Sequence, residues 1–271
     1  MGQRFKDQIV WITGGGSGLG REMAIIFANE GADVAVSGRR LDRLEETVAL
    51  IQQAGRVGLA VPCDVRDEDQ VDAAVRAIVE RFGKLDVAVA NAGFSVAGRI
   101  ETLSADEWRS QLETNIVGLT NTIRSTLPEL RKTKGRLALL GSVAGLVTMP
   151  GTGAYHASKF AVRAIGETLS KELHGSGVTC TTLHPGFVAS EIGRVDNKGV
   201  FKETRRDPRP ARFMWQPDAA AKVMVRAIYR RKREYVFTKH GIAAGFLGRH
   251  FPGLVHFVVT RAAISYKRTR E

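Results

Sequence analysis

The sequence predicts a single α/β domain built on a doubly wound parallel sheet of about seven strands, with helices on both faces. Two observations predict this fold. Short runs rich in Val, Ile, Leu and Ala alternate with longer segments of helical period along the first two thirds of the chain. The runs are nearly all apolar rather than alternately polar and apolar, which is typical of strands covered by helices on both sides.

The predicted elements follow one another at short intervals. Strands are predicted at residues 9–13, 33–37, 57–61, 86–90, 136–141, 178–183 and 235–238. Helices are predicted between them at residues 20–29, 41–54, 67–82, 105–131, 154–174 and 218–230. Hydrophobic residues make up 44% of the 271 and charged residues 25%, the balance of an ordinary globular chain with one large core.

Two segments interrupt this alternation. Residues 193–212 are polar, basic and proline-bearing with no clear period, so we expect a surface loop that can act as a lid. Residues 240–263 are apolar with scattered Arg and His and are interrupted at Pro252. They fit a helix packed on the core, a subunit contact or an interfacial anchor.

The net charge of +12 is concentrated in the last third of the chain. Residues 1–192 carry 21 Lys and Arg against 22 Asp and Glu, whereas residues 193–271 carry 19 against 6. Such asymmetry fits an anionic partner, such as a membrane surface, a phosphorylated substrate or a nucleic acid, and equally fits a solvated basic face. Because the cations are scattered and form no stripe with stacking aromatics, we expect no nucleic-acid partner.

Several classes of protein are disfavoured by what the sequence lacks. No run of about 18 uncharged apolar residues is present, so no spanning helix is expected. The polar N-terminus has no signal-peptide pattern, and two cysteines are too few for a disulfide framework, which together favour a reduced, cytoplasmic setting. The six histidines fall in no metal-ligand spacing, so no catalytic metal is expected.

A glycine-rich loop, TGGGSGLG, follows the first predicted strand at residues 13–20 and precedes a helix. Gly14, Gly18 and Gly20 permit a tight turn and a close approach of the backbone to a pyrophosphate, and the helix N-terminus offers free N–H groups to the anion. Glycine clusters also serve turns for steric reasons alone. The position between strand and helix favours a dinucleotide site in a Rossmann-type sheet.

The end of the second predicted strand bears on which dinucleotide is bound. It runs into Gly38, Arg39 and Arg40, with no acid before Asp42, so the carboxylate that would bind the ribose hydroxyls of NAD is missing. Two guanidinium groups suit a 2′-phosphate, although they also fit the start of a solvated helix. Asp64, after the third strand, fits either the adenine amino group or a cap on the helix beginning near residue 67.

A Tyr–Lys pair supplies the candidate acid–base chemistry. Tyr155 and Lys159 are four residues apart in a predicted helix, so they share one face at about 6 Å. Tyr235 and Lys239 have the same spacing but begin in a predicted strand, where four residues span about 13 Å. Ser142 closes the fifth strand, where ligands bind in such sheets.

Two further polar features lie near these strand ends. The NAG sequence at residues 91–93 closes the fourth strand, where a cofactor is expected. Asn115 is a polar residue among apolar neighbours in the predicted helix 105–131, and hydrogen bonding within the helix or surface exposure explains it equally well.

These motifs, in this order, resemble those of the short-chain dehydrogenase/reductase family over about residues 7–240. TGGGSGLG resembles the family's TGxxxGxG, ANAG its NNAG, YHASK its YxxxK and HPGFVAS its PGxVxT. The departures are mild: Ala90 replaces the first Asn of NNAG, and Ser190 replaces Thr while keeping a hydroxyl that can bond the nicotinamide amide. The Gly38-Arg39-Arg40 sequence resembles the NADP(H)-preferring branch.

The resemblance implies an enzyme that interconverts a carbonyl and an alcohol with NADP(H), over a cofactor-binding and catalytic domain at 1–240 followed by a basic, apolar segment of the same domain at 241–271. The implied catalytic residues are Asn115, Ser142, Tyr155 and Lys159. The implied cofactor-binding residues are Gly14, Ser17, Gly18, Leu19, Gly20, Arg39, Arg40, Asp64, Val65, Asn91, Ala92, Gly93, Tyr155, Lys159, Pro185, Gly186, Val188 and Ser190.

Each catalytic residue has an expected role. Tyr155 gives a proton to the substrate oxygen in reduction and removes it in oxidation, while Ser142 donates a hydrogen bond to that oxygen. We expect the Lys159 cation and the oxidised nicotinamide to lower the tyrosine pKa, and reaching about 7 from 10 requires roughly 4 kcal/mol. From the resemblance, Lys159 also holds the nicotinamide ribose and Asn115 anchors a water in a proton relay.

The substrate is less well specified by the sequence. Pocket walls are expected from residues 94–97, 143–150, 187–192 and 193–212, with Phe94 and Phe187 joining Ser142 and Tyr155 as substrate contacts. Their apolar character favours a lipophilic carbonyl of the sterol, retinoid, sphingoid or 3-oxoacyl type, whereas the basic loop also leaves room for an acyl-carrier or coenzyme A thioester. A non-catalytic NADP(H)-binding redox sensor is the alternative function.

The expected partners follow from the family resemblance and from the charge and hydropathy of the C-terminal segment. By resemblance, we expect a homodimer or homotetramer that packs through the helices at 105–131 and 154–174. The basic C-terminal third, combined with the apolar segment 240–263, predicts a peripheral membrane contact, and burial of a C-terminal helix at an oligomer interface explains it equally well.

Overall fold

Seven parallel strands form one sheet in the computed structural model, which describes residues 3–204, 207, 209 and 211–268. The strands are β1 (Ile9–Thr13), β2 (Asp33–Gly38), β3 (Gly58–Pro62), β4 (Val87–Ala90), β5 (Arg136–Leu140), β6 (Thr179–His184) and β7 (Glu234–Val236). Their order in the sheet is β3-β2-β1-β4-β5-β6-β7, and every neighbouring pair is parallel. The predicted fold class is confirmed.

Helices cover the sheet on both sides. They are α1 (Gly18–Asn29), α2 (Leu41–Gln53), α3 (Glu68–Phe82), α4 (Ala105–Leu112), α5 (Gly118–Thr133), α6 (Gly153–Glu172), α7 (Pro217–Tyr229), α8 (Lys239–His250) and α9 (Pro252–Arg268). Alternate residues of β1 enter two separate cores: Val10 and Ile12 pack with α1, α2 and α7, while Ile9 and Trp11 pack with α3, α5 and α6. This period of two is why each strand reads as continuously apolar.

The strand order reverses direction between β1 and β4. The chain leaves β1 toward β2 and β3 on one side, and later builds β4 to β7 on the other. The loops at the carboxyl ends of β1 and β4 therefore diverge and leave a crevice, which is where such sheets bind ligands.

Local signals explain several helix ends. The Asp67 side chain accepts a hydrogen bond from Gln70 N and caps α3, which ends at Gly83 with a positive φ of 80°. Ser104 and Glu107 form a reciprocal capping box at the start of α4. The cap of α3 is therefore Asp67, and Asp64 does not cap this helix.

The structure differs from the predicted elements in two places. The predicted helix 105–131 contains a π-helical turn at Glu113–Val117 that separates α4 from α5, and an inserted residue of this kind has no signature in hydrophobic period. The segment 240–263 forms α8 and α9, which meet at a bend of 119° before Pro252 because proline cannot continue the hydrogen bonding of the preceding helix.

The described part of the loop at 193–212 contains short 3₁₀ turns at Glu191–Arg194 and Ala211–Phe213. Residues 205, 206, 208 and 210 of the predicted lid lie outside the described residues. Within the described residues, a single helix with the length and hydropathy to cross a bilayer is not found, and the bent pair at 239–261 meets those criteria only when its two helices are taken together.

Candidate active site

A cavity of about 720 Å³ lies along the carboxyl ends of the central strands. Every residue that the sequence implicates in cofactor binding lines it, from the glycine loop after β1 to the segment after β6. Ser142, Tyr155, Lys159 and Phe94 line it as well. The motifs are far apart in sequence, and the parallel sheet brings them together because all of them end a strand or begin the following helix.

The glycine loop forms a close-fitting backbone cradle. Gly14 and Gly18 have positive φ values of 65° and 53°, a region that side chains disfavour. A Cβ on Gly20 would lie 2.2 Å from the Gly14 carbonyl oxygen, so only glycine fits there. Ser17, at the N-cap of α1, makes no side-chain cap hydrogen bond, so no side chain caps the first N–H groups of this helix, whose first residues line the cavity.

The residues after β4 are hydrogen-bonded to this loop. The Asn91 side chain donates to the carbonyl oxygens of Thr13 and Gly14 at 2.8 and 3.1 Å, and the Thr13 hydroxyl accepts from the main-chain N–H groups of Asn91 and Ala92. Asn91 therefore fixes the shape of the phosphate loop, and Ala90 at the preceding position is simply a buried strand residue.

Two arginines after β2 reach across the cavity toward the loop that follows β6. Arg39 donates to the Gly199 carbonyl at 3.1 Å, and Arg40 pairs with Glu191 at 3.0 Å. Both guanidinium groups are solvent-accessible. Asp64 pairs with Arg66, and this hydrogen-bonded pair holds the pKa of Asp64 below its usual range. The wall of the cavity around β2 and β3 thus presents cations, with its acid already paired.

The candidate catalytic pair lies on α6. Lys159 is 5% exposed, its Nζ lies 5.7 Å from the centre of the Tyr155 ring, and it donates to the Leu140 carbonyl at 2.7 Å. Burial lowers the Lys159 pKa to about 8. The Ser142 hydroxyl accepts from Ala144 N at 3.1 Å and sits at the end of β5 beside the pair. Helical spacing therefore places phenol and ammonium on one face, as predicted.

The electrostatics of Tyr155 differ from the expectation. Burial raises the pKa of its phenol, and the Ser142 side chain and the positive charge of Arg209 oppose this effect only in part. Without the charge of a bound coenzyme, Tyr155 is therefore held as a neutral acid. This state suits proton donation to a carbonyl oxygen, and the phenolate needs more positive charge than Lys159 alone supplies.

Asn115 lies behind the cavity rather than in its lining. It is 1% exposed in the π-helical turn; its Oδ1 accepts from Phe94 N at 3.1 Å, and its Nδ2 donates to Phe94 O and to Ser158 Oγ. Ser158 in turn donates to the Tyr155 carbonyl at 2.7 Å. Both amide protons are used in these bonds. In this structure the Asn115 side chain ties the end of β4 to the helix that carries Tyr155.

His184, at the end of β6, was not predicted as a site residue. Its imidazole is fully buried, with Nδ1 3.0 Å from the Ser142 carbonyl and Nε2 3.0 Å from Glu234 Oε1, an ion-pair distance without the alignment of a hydrogen bond. Since a carbonyl only accepts, Nδ1 carries a proton. Glu234 also pairs with Arg163, and these contacts, that with His184 first, lower its pKa to about 2. The only signal in sequence is a histidine at the end of a strand, TCTTLH, that carries no other ionic side chain.

The predicted pocket walls are partly supported. Phe94 and residues of the loop after β6 line the cavity, including Val188, Ile192, Val200 and Phe201. Phe187 is not among the described lining residues; its ring stacks on His240 at 5.5 Å because β6 turns there toward α8. The segment 143–150 is likewise absent from the described lining, since Leu146 and Val147 pack against α8.

Fold and cavity together define a nucleotide-binding α/β enzyme. The chain belongs to the short-chain dehydrogenase/reductase family, since the family model described as short chain dehydrogenase matches residues 8–200. It is 38% identical over 191 residues to an uncharacterized oxidoreductase of Staphylococcus saprophyticus, covering 69% of this chain and 76% of that one. It is 36% identical over 183 residues to a 3beta-hydroxysteroid dehydrogenase of Mediterraneibacter gnavus, covering 67% and 66%.

Solved structures give the same family. A short-chain dehydrogenase/reductase of Burkholderia phymatum in complex with NAD superposes with a TM-score of 0.82 at 29% identity, covering 93% of this chain and 96% of that one. An alcohol dehydrogenase of Thermococcus sibiricus complexed with 5-hydroxy-NADP gives a TM-score of 0.74 at 28% identity, covering 85% and 95%. One neighbour holds NAD and the other an NADP derivative, so likeness does not distinguish the two.

Proposed function

We propose that this oxidoreductase interconverts a ketone or aldehyde and an alcohol with NADP(H), and that Tyr155 is its acid and base. The observation that carries the proposal is the placement of Ser142, Tyr155 and Lys159 on the same cavity as a glycine loop shaped for a pyrophosphate. The loop fits a dinucleotide because its three glycines leave room for backbone contact with phosphate and α1 points free N–H groups at it.

In this mechanism the glycine loop and the residues after β4 and β6 would hold a nicotinamide coenzyme, which would supply or accept the hydride. In reduction, the neutral Tyr155 hydroxyl donates its proton to the carbonyl oxygen, while the Ser142 hydroxyl donates a hydrogen bond to the same oxygen as negative charge develops. Lys159, held against the Leu140 carbonyl, supplies positive charge to the phenolate that remains. Buried Asn115 and His184 are positioning residues. Asn115 fixes Phe94 and the helix that carries Tyr155, and His184 fixes the Ser142 main chain.

The preference for NADP(H) is proposed from Arg39 and Arg40, because β2 ends at Gly38 without a carboxylate and both guanidinium groups line the cavity. Arg39→Asp should raise the KM for NADPH at least tenfold and shift the ratio of kcat/KM toward NADH. Steady-state kinetics with both coenzymes measure this. Arg76→Asp, the same charge change on the exposed face of α3, is the control. An unchanged NADPH-to-NADH ratio in the Arg39 variant means that Arg39 does not contact the phosphate.

The proposed substrate is a lipophilic carbonyl or alcohol of the sterol, retinoid, sphingoid or 3-oxoacyl type. Support comes from the apolar side chains that line the cavity beside Tyr155, such as Phe94, Ile192 and Phe201, and from the likeness to a 3beta-hydroxysteroid dehydrogenase. Lys198 and Arg209 line the same cavity and keep an anionic thioester open as a second class.

The decisive experiment is NADPH oxidation with a panel of ketones that runs from short-chain to steroid-sized, together with an acyl thioester. Rates that rise with the size of the apolar group support the proposal. NADPH binding without oxidation by any member of the panel would favour the alternative, a non-catalytic redox sensor. Retention of the complete Ser142, Tyr155 and Lys159 set is the observation that favours the enzyme.

We further propose a cytoplasmic homodimer or homotetramer with a peripheral membrane contact through its basic C-terminal third. The exposed apolar side chains of Val117 and Phe160, next to α5 and on α6, support assembly through these helices, since 45% and 39% of their surfaces are solvent-accessible. Sedimentation of the purified chain measures the number of subunits.

A further inference from the structure

One face of α8 is built to lie flat on the domain. Gly241, Gly245 and Gly248 are spaced at helical intervals along it, and a Cβ on Gly248 would lie 2.4 Å from Val147 Cγ1. A Cβ on Gly245 would lie 2.9 Å from Leu146 Cδ1. The glycines thus allow α8 to pack closely on the turn that follows Ser142. The helix has a fixed inner face, which determines what its outer face presents.

The outer faces of α8 and α9 expose large apolar side chains. The exposed residues are Ile242, Phe246, Leu247, Phe251, Leu254, Phe257 and Val258, six of them at 51–58% and Leu247 at 37%. Leu254, Phe257 and Val258 follow the spacing that a helix in a globular protein turns toward its core. Phe246 meets Phe251 across the bend, with ring centres 6.2 Å apart. This apolar corner is contiguous in sequence and faces solvent, which marks an interaction surface.

All of the charged residues in the same segment are basic. Residues 235–270 contain six Lys and Arg and not one Asp or Glu. Arg249 of α8 also lines a small cavity of about 60 Å³ together with Arg163 and Arg233. Glu234 and Glu167 line this cavity too, but Glu234 pairs with Arg163 and Glu167 with Lys171. Among the described residues, no carboxylate lies within ion-pair distance of Arg233 or Arg249, although the charge of Arg233 contributes to lowering the pKa of Glu167.

We infer that the helix pair α8–α9 docks on an anionic lipid bilayer, with its apolar corner in the interfacial region and Arg249 and Arg233 bound to a lipid phosphate. This deepens the membrane contact proposed above by assigning it a surface and a headgroup site. A second copy of the chain is disfavoured as the occupant, because a two-fold contact would set this basic surface against itself. An anionic bilayer instead complements both the apolar corner and the cations.

The test is flotation of the full chain with phosphatidylcholine vesicles, with and without phosphatidylglycerol. We expect flotation with the anionic vesicles, less in high salt, and little with neutral ones. The double variant Phe246→Ser, Phe257→Ser should lower the vesicle-bound fraction at limiting lipid at least tenfold. Arg249→Gln should lower binding to anionic vesicles several-fold and leave binding to neutral vesicles unchanged. Ile100→Ser, which changes a residue 69% exposed outside this segment, is the matched control and should float like the parent chain.

Folding is checked by circular dichroism and thermal unfolding, which require neither coenzyme binding nor activity, so failure of the proposed enzymatic function leaves this test readable. Absence of flotation with anionic vesicles overturns the inference. Equal binding to neutral and anionic vesicles, or no effect of Arg249→Gln, overturns the headgroup site. An oligomer that dissociates in the double variant while the parent chain does not float assigns the surface to a second copy instead.

Discussion

The chain contains two Tyr–Lys pairs with the same four-residue spacing, and they occupy very different surroundings. In α6, Tyr155 and Lys159 lie on one helical face at the large cavity, with Nζ 5.7 Å from the ring centre. Tyr235 lies in the edge strand β7 and stacks on Phe237 at 6.0 Å, while Lys239 begins α8 and is exposed. The spacing carries chemistry only where the backbone is helical and the strand ends bring a ligand site beside it.

Burial adds a second difference between the pairs. The Lys159 ammonium is taken out of water and held by the Leu140 carbonyl, which lowers its pKa to about 8, and burial raises the pKa of Tyr155. Lys239 is solvated. A site of this kind depends on groups whose protonation is set by their surroundings.

Removing the hydroxyl of each tyrosine in turn should give the largest difference between the two pairs. Tyr155→Phe should lower kcat by about 10²–10⁴-fold, because proton transfer to the carbonyl oxygen is lost, while NADPH binding measured by fluorescence titration persists. Tyr235→Phe should change kcat less than about twofold, since Tyr235 is not among the described residues that line the cavity. Substantial turnover by the Tyr155 variant would end its assignment as the acid and base.

Replacing each lysine should give the same contrast as replacing each tyrosine, with a large loss of kcat at Lys159 and none at Lys239. Lys159→Met should lower kcat by about 10²-fold, because the charge that stabilises the phenolate is removed. Since the Lys159 pKa is about 8 in the free protein, the ammonium is lost as pH rises through that value. The kcat/KM profile of the parent chain for reduction should therefore fall above about pH 8. Lys239→Met should keep both the rate and this alkaline limb, and a limb that survives in Lys159→Met would belong to another group.

A smaller effect is expected at Glu234, which links the two regions because it precedes Tyr235 and pairs with Arg163 of α6 and with His184. Its pKa is about 2 in the folded chain against 4.5 ordinarily, so its contribution to stability is present above about pH 4.5 and is lost as pH falls toward 2. Glu234→Gln should cost about 1–3 kcal/mol at pH 7, allowing for its partial exposure, and much less near pH 2.

Urea unfolding at both pH values measures this difference. Glu45→Gln, at an exposed position in α2, is the control and should be nearly neutral throughout. A loss of stability in Glu234→Gln that is the same at pH 7 and near pH 2 would mean that the carboxylate charge is not what links β7 to α6.

Most of the fold and the position of the cofactor cavity are readable from sequence, because both depend on local patterns. The strands are largely apolar, although β6 contains three Thr. The loop requires Gly14 and Gly18 for their positive φ values and Gly20 because a Cβ there would clash with the Gly14 carbonyl. Features that depend on tertiary contacts were not readable. Phe187 turns away from the cavity because α8 offers His240, and the neutral state of Tyr155 follows from burial that only the assembled site creates.

His184 shows the same limit. Its identity is plain in the sequence, but its role depends on Ser142, 42 positions earlier, and on Glu234 in the edge strand. Neither partner can be predicted from sequence spacing, because only the order of the strands in the sheet brings Ser142 and Glu234 beside His184. The same holds for the pairing of Arg40 with Glu191 across the cavity.

The π-helical turn at Glu113–Val117 has a consequence for the rotational phase of α5. Each residue advances an α-helix by about 100°, so the extra residue sets the direction in which every later side chain points. The stripe that α5 buries against the sheet includes Leu119, Thr122, Ile123 and Leu130. Removing any one residue from this turn would swing that stripe away from the core by a quarter turn or more. At this point the chain should therefore tolerate exchange of side chains other than that of buried Asn115 far better than a change in length.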